Sequence, residues 1–159
     1  MKVVVYSHDA DTRAEIKLAI GRRPAADVPE AEIVEVATAP ALFRLLDAGG
    51  IDVMVLDGEA QPAGGIGVCR QAKDEVYRCP PVLLIIARAD DRWLATWSQA
   101  DAVTSHPIDP VALARELAAL MRSRAIKALS LYLFFLTTPP CSRTTCPPGP
   151  VAPGCPLPP

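Results

Sequence analysis

Residues 51–60 read IDVMVLDGEA: an apolar run from Ile51 to Leu56 that ends in a carboxylate, Asp57, with Gly58 directly behind it. The run lacks the polar–apolar alternation of a half-wet strand, so it reads as a strand covered on both faces. A carboxylate at the tip of such a strand contributes nothing to apolar packing. It calls either for chemistry at that tip or for hydrogen bonds that hold it there.

Working outward, residues 1–125 alternate strand-like and helix-like runs. KVVVY (2–6) is a β-branched strand and DTRAEIKLAI (11–20) a helix closed by Gly21. AEIVEVA (31–37) alternates like a partly exposed strand, and PALFRLLDA (40–48) is a short helix ended by Gly49 and Gly50. After the strand 51–57 come a helix at 66–77, a fully apolar strand PVLLIIA (81–87) and a helix DDRWLATWSQA (90–100). DAVTS (101–105) is a short strand, and DPVALARELAALMRSR (109–124) the last helix. In that helix Asp109 suits the N-cap and Pro110 the first turn. Val111, Leu113, Leu117 and Leu120 fall largely on one face. Five strands alternating with five helices imply right-handed crossovers and a mostly parallel sheet covered on both faces. Functional groups in such sheets gather at the carboxyl ends of the central strands. There the chain places Ser7, His8 and Asp9, then Asp57, then Ala87 and Arg88, then Ser105 and His106.

Charge excludes some classes of function. Of 159 residues, the part before Ala125 holds all 18 acids and 14 of the 16 Lys and Arg, a net of −4; only Lys127 and Arg143 follow. An acidic domain without a basic stripe argues against a nucleic-acid partner. The N-terminus MKVVVYSHDA has no signal-peptide layout, which makes a cytoplasmic location the expectation.

Composition breaks near residue 125. Residues 125–159 hold nine of the 17 prolines, three of the five cysteines and no acid. They are expected to form a disordered Pro/Cys-rich tail with polyproline character, functional or merely an unselected extension. ALSLYLFFL (128–136) is about half the ~20 apolar residues that a bilayer span needs. Cys141, Cys146 and Cys155 lack CxxC spacing and a nearby histidine, so no metal or disulfide framework is expected.

The four strand-end patterns, taken together, resemble the receiver domain of bacterial two-component response regulators, over residues 1–124. YSHDADTR (6–13) is similar to that family's first strand end and helix start. DVMVLD, leading on to Gly65, has the spacing from the phosphoacceptor to the glycine that opens the third helix. PPVLLIIARAD (80–90) and ADAVTSHPIDPVALARELAAL (100–120) resemble the fourth and fifth strands with their sequels. The resemblance implies a flavodoxin-like (βα)5 sandwich with strand order 2-1-3-4-5. It makes Asp57 the acceptor position. The family's two metal-binding acids fall on Ser7 and His8, with Asp9 one residue on. Its hydroxyl position falls on Ile86, and its lysine position on His106, still followed by Pro107.

Each of these departures weakens the same reaction. Mg²⁺ prefers hard anionic oxygens, of which only Asp9 and Asp57 remain as candidates. Ile86 cannot donate a hydrogen bond, and an unperturbed imidazole, with a pKa of about 6.5, is mostly neutral at pH 7. Glu59 adds charge beside the acceptor. The expectation is therefore an atypical, degenerate stand-alone receiver: not an enzyme, with no cofactor, and Mg²⁺ only if the site is active. The alternative is a genuine phosphorelay receiver phosphorylated on Asp57 by a sensor histidine kinase. A flavodoxin-like enzyme lacks any cofactor motif, and GGIG (64–67) is no phosphate cradle.

A zinc site made by His8, His106 and Asp57 ranks behind histidines satisfied locally. Cys69 is expected in the core, and Cys79 carries no activating neighbour. Trp93 and Trp97, four residues apart on one helix face, either fill the core or anchor a protein partner such as a kinase, another regulator or a larger assembly. In receivers the partner face is made by the fourth helix, fifth strand and fifth helix, and the resemblance places both tryptophans there.

Overall fold

The computed structural model describes the backbone of residues 1–137 and side chains through residue 126. Its elements are β1 (Lys2–Tyr6), α1 (Ala10–Ile20), β2 (Glu32–Val36), α2 (Ala39–Ala48), β3 (Val53–Asp57), α3 (Gly65–Glu75), β4 (Val82–Ile86), α4 (Arg92–Trp97), β5 (Ala102–Ser105) and α5 (Pro110–Thr137). The strands form one parallel sheet in the order β2-β1-β3-β4-β5. This is the expected flavodoxin-like topology.

Burial explains the strand patterns. Every residue of β3 and of β4 is buried, as their unbroken apolar runs require. The sheet separates two apolar layers. One gathers Val4, Met54, Leu56, Leu84 and Ile86 with α2, α3 and α4 residues such as Leu42 and Cys69. The other gathers Val3, Val5, Val55, Leu83 and Ile85 with Ile16, Leu113 and Leu117 of α1 and α5. Alternate residues of one strand thus feed opposite layers, the period-2 rule at work on both faces. Asp109 caps α5, its carboxylate accepting from the Val111 amide at 2.9 Å. Gly49 and Gly50, at φ +73° and +81°, let the chain turn sharply out of α2.

Most boundaries shift by one or two residues, and three differences matter. β3 begins at Val53, not Ile51, because Ile51 and Asp52 belong to the turn leading in from α2. The helix expected over 90–100 divides into a 3₁₀ turn, Ala89–Asp91, and the six-residue α4. The last helix does not stop at residue 124 but continues to Thr137, so the tail expected from 125 begins as helix. The apolar segment 128–136 extends a helical run with no proline before residue 139 to break it. Residues 138–159, with the expected proline-rich disorder and Cys141, Cys146 and Cys155, lie outside the described residues. Val111 is 77% exposed, so the buried stripe of α5 runs through Leu113, Leu117 and Leu120 without it.

α3 starts under the end of β3, and this approach fixes the site's geometry. A Cβ on Gly65 would collide with the Asp57 carbonyl, and one on Gly58 would lie 2.6 Å from the Ile85 carbonyl oxygen. Backbone cannot yield as a flexible side chain can. Gly65→Ala is expected to destabilise the domain by about 1–3 kcal/mol, the cost of overpacking. Urea denaturation monitored by circular dichroism measures it, and an unchanged midpoint would show that the α3 start can move away.

Candidate functional site

The parallel register brings the site together. Tyr6 pairs with Leu56, and Asp57 with Ile85, so Ser7 and Asp57 leave neighbouring strands side by side. Ser7 is fully buried and Asp57 is 3% exposed. A buried carboxylate needs hydrogen-bond donors, and Asp57 has one on each oxygen. The Ser7 hydroxyl donates to Oδ2 at 2.7 Å, and the Glu59 amide donates to Oδ1 at 3.0 Å. The Asp9 amide in turn donates to Ser7 Oγ at 3.2 Å. Amide, hydroxyl and carboxylate form a short chain of bonds that polarise one another.

Asp9 faces away from this chain. It is the N-cap of α1: its oxygens accept from the Asp11 amide at 3.4 Å, the Thr12 amide at 2.9 Å and the Thr12 hydroxyl at 2.7 Å. The Thr12 hydroxyl, followed by the Thr12 amide, holds the Asp9 carboxyl below its ordinary value. Asp57 thus accepts two hydrogen bonds and Asp9 three. Among the described residues no group of three His, Cys, Asp or Glu is placed to hold a metal ion. With Asp57 the one carboxylate at the strand end and Asp9 turned to its helix cap, the residues present do not reproduce the acidic cluster that takes Mg²⁺ in the family pattern, and His8, His106 and Asp57 form no such group either. His8 is exposed, and His106 is half-buried beyond β5.

The other expected positions lie where the resemblance put them. Ile86 is buried at the end of β4, and the His106 amide donates to the Ile86 carbonyl at 2.9 Å. The His106–Pro107 peptide bond is cis. Cys69 is buried, its thiol 3.3 Å from the Ser98 carbonyl, and burial pushes its pKa up to about 11. It is a core residue, as expected. Desolvation likewise raises the half-buried Cys79.

Two residues that the sequence reading left without a role hold the loops around Asp57. Arg13 Nη1 donates to the Ser7 carbonyl at 2.7 Å and the His8 carbonyl at 3.2 Å, pinning the turn after β1. Its buried Nε makes no hydrogen bond and meets Glu35 only as an ion pair at 3.5 Å. Glu35 is held low chiefly by its hydrogen bond and charge pairing with Lys17. Tyr6, fully buried, donates its hydroxyl to the Ala63 carbonyl at 2.5 Å and so ties β1 to the loop before α3. Desolvation, then the charge of Asp57, raises its pKa. The available signal was a tyrosine closing an otherwise β-branched strand, a hydroxyl that burial obliges to find a partner.

Comparison with known proteins decides the family. No family model matches the chain. Uncharacterized response regulatory proteins from two strains of Mycobacterium tuberculosis are each 46% identical to it over 125 residues, 79% of this chain and 94% of theirs. The chain belongs to the response regulators. Solved structures agree on the receiver fold at low identity. The response regulatory domain of mrkE from Klebsiella pneumoniae superposes with a TM-score of 0.64 at 16% identity, covering 79% of this chain and 98% of that one. A CheY-like receiver from Methanospirillum hungatei gives 0.62 at 14%, covering 79% and 97%.

In this receiver both tryptophans are exposed, Trp93 by 64% and Trp97 by 54%, which excludes the core reading. Ala95 and Ser98 take the buried side of α4 instead. Trp97 leans toward α3, not α5. The Arg70 guanidinium lies 5.9 Å from its ring centre, and Arg70 Nη1 donates to its carbonyl at 3.1 Å. Among the described residues no helix is long and apolar enough to cross a membrane.

Two outcomes test this geometry. Ser7→Ala leaves Asp57 Oδ2 buried without its donor and is expected to cost about 1–3 kcal/mol in denaturant unfolding at pH 7. Asp9 gives the pH dependence. Its folded pKa lies below its unfolded value, so its stabilisation is full above that unfolded value and is lost as pH falls through the folded one. Melting temperatures of the wild type should therefore drop more steeply below about pH 4 than those of Asp9→Asn, which keeps a capping side chain without the titration. Parallel curves would remove Asp9 from the acid limb.

Proposed function

We propose that this receiver works as a protein–protein signalling module in the cytoplasm and that phosphoryl transfer to Asp57 is impaired. The observation that supports this reading is the buried bond from Ser7 to Asp57. A side chain that in the family pattern would be a metal-binding acid is here a hydroxyl donor to the acceptor. The donor occupies the oxygen that a metal ion would share. Asp57 then serves as the anchor of two loops, and its carboxylate is least costly where it already has both donors.

The remaining positions support the same conclusion. Phosphoryl transfer relies on cations and donors aimed at the charge that develops on the equatorial oxygens. Ile86 offers no donor, and His106 offers a full positive charge only when protonated. With Asp9 spent on its cap, no second carboxylate joins Asp57. Output would then come from contact with a kinase, another regulator or a larger assembly, with Trp93 and Trp97 as anchors, and no enzymatic step is assigned to the chain.

Intact-mass spectrometry after incubation with acetyl phosphate and Mg²⁺ tests the proposal. The wild type is expected to keep its mass. The quadruple variant Ser7→Asp/His8→Asp/Ile86→Thr/His106→Lys, checked for folding by circular dichroism, is expected to gain one phosphoryl group that Asp57→Asn in the same background cannot accept. Phosphorylation of the wild type, abolished by Asp57→Asn alone, would falsify the impaired site and establish a working phosphorelay receiver.

A further inference from the structure

The chain's only two tryptophans stand together on the outer side of α4, more than half exposed, with the Arg70 guanidinium beside the second ring. Arg70 is itself steadied by Asp74 at 2.8 Å, so one edge of the aromatic surface is fixed. Exposed aromatic faces are what proline-rich extended chain docks against. Such a chain is already in the polyproline II conformation and loses little entropy on docking.

The same molecule supplies such a chain. Pro147, Pro150, Pro153, Pro156 and Pro159 recur at every third position. Polyproline II has three residues per turn, so a proline at every third position is the spacing that would align the rings along one edge of such a helix. No charged residue follows Arg143, and the intervening positions include Val151, Ala152 and Leu157, so the segment is apolar in composition. We infer that residues 147–159 dock on the Trp93–Trp97 surface of their own chain, covering it until a partner displaces them. This rests on the proposed reading of that surface as the protein-docking face and names its resident occupant.

The reach of the chain allows it. Arg124 lies beside Lys73 and Pro81, at the amino-terminal end of the sheet. From there α5 continues to Thr137, a helical rise of about 20 Å. The residues between Thr137 and Pro147 span up to about 33 Å when extended, enough to return to the sheet end. The proline repeat is then about 37 Å long, several times the roughly 9 Å length of α4. The chain can therefore come back along α4 without unwinding α5.

Intrinsic fluorescence reads this surface alone, because the chain has no tryptophan elsewhere. Acrylamide quenching is measured on the full-length wild type and on the full-length variant with Pro147, Pro150, Pro153 and Pro156 changed to Ser. The variant is expected to show a steeper quenching slope and an emission maximum shifted to longer wavelength. Equal slopes and spectra would overturn the inference. A difference that disappears on dilution would overturn it too, since it would assign the occupant to a second chain. The docking face itself is tested separately, by capture of partners with wild type and with Trp93→Ala/Trp97→Ala. Equal quenching with loss of partners would sink the tail and leave the face; altered quenching with unchanged partners would do the reverse.

Discussion

The structure depends on a carboxylate that has been taken out of water and satisfied from two directions. Asp57 is buried at the end of β3, with the Ser7 hydroxyl on one oxygen and the Glu59 amide on the other. An ionised carboxylate in such a place costs several kcal/mol unless donors meet it. Two short bonds meet that need, and they also organise their surroundings. Through Ser7 the acceptor holds the Asp9 amide and the start of α1. Through Glu59 it holds the loop that Tyr6 grips at Ala63. Removing the carboxylate would take one bond from each loop, so retention of an aspartate here has a structural reason independent of phosphorylation.

Much of this was legible in the chain, for identifiable reasons. The parallel sheet and the gathering of Ser7, Asp57 and His106 followed from apolar runs, turn residues and the rule that functional groups collect at strand ends; the strand order and the place of Ile86 came from the resemblance to receivers. What was not legible depended on side-chain direction. Asp9 looks like a metal donor in the sequence, but Thr12 three residues later turns it into a helix cap. Trp93 and Trp97 share a helix face at any spacing of four, yet only packing decides whether that face is covered. Ala95 and Ser98 took the buried side and left both indoles outside. Arg13 could be aligned but not interpreted, because its partners are backbone carbonyls that no sequence pattern marks. The end of α5 was misplaced because a change of composition at residue 125 was taken for a change of conformation. Propensity does not stop at such a break, and the first proline comes only at residue 139.

The Asp57 site and α4 border one apolar cluster. Ile86 and Ala95 belong to one apolar cluster, which connects the end of β4 to the underside of α4. A hydroxyl at position 86 would offer a bond that forms or breaks with the state of the acceptor. An isoleucine offers only shape. Close-packed apolar contacts transmit displacement but respond to no charge of their own. On the proposed reading, then, the state of α4 is set from outside, by whatever covers its tryptophans, and not from Asp57.

That direction of control has a thermodynamic consequence. A ligand shifts an equilibrium only by its difference in affinity for the two states. On the proposed reading, Asp57, with a donor on each oxygen, presents one state to its surroundings and has little with which to bias another. The tryptophan surface differs: it is exposed, apolar and built on a helix of only six residues preceded by a 3₁₀ turn. So short a helix owes its stability to tertiary contact more than to its own hydrogen bonds. Covering its outer face adds contact where the element is weakest. On the proposed reading, the site that the family uses for chemistry is here held by its own hydrogen bonds, and the tryptophan surface is where this chain responds.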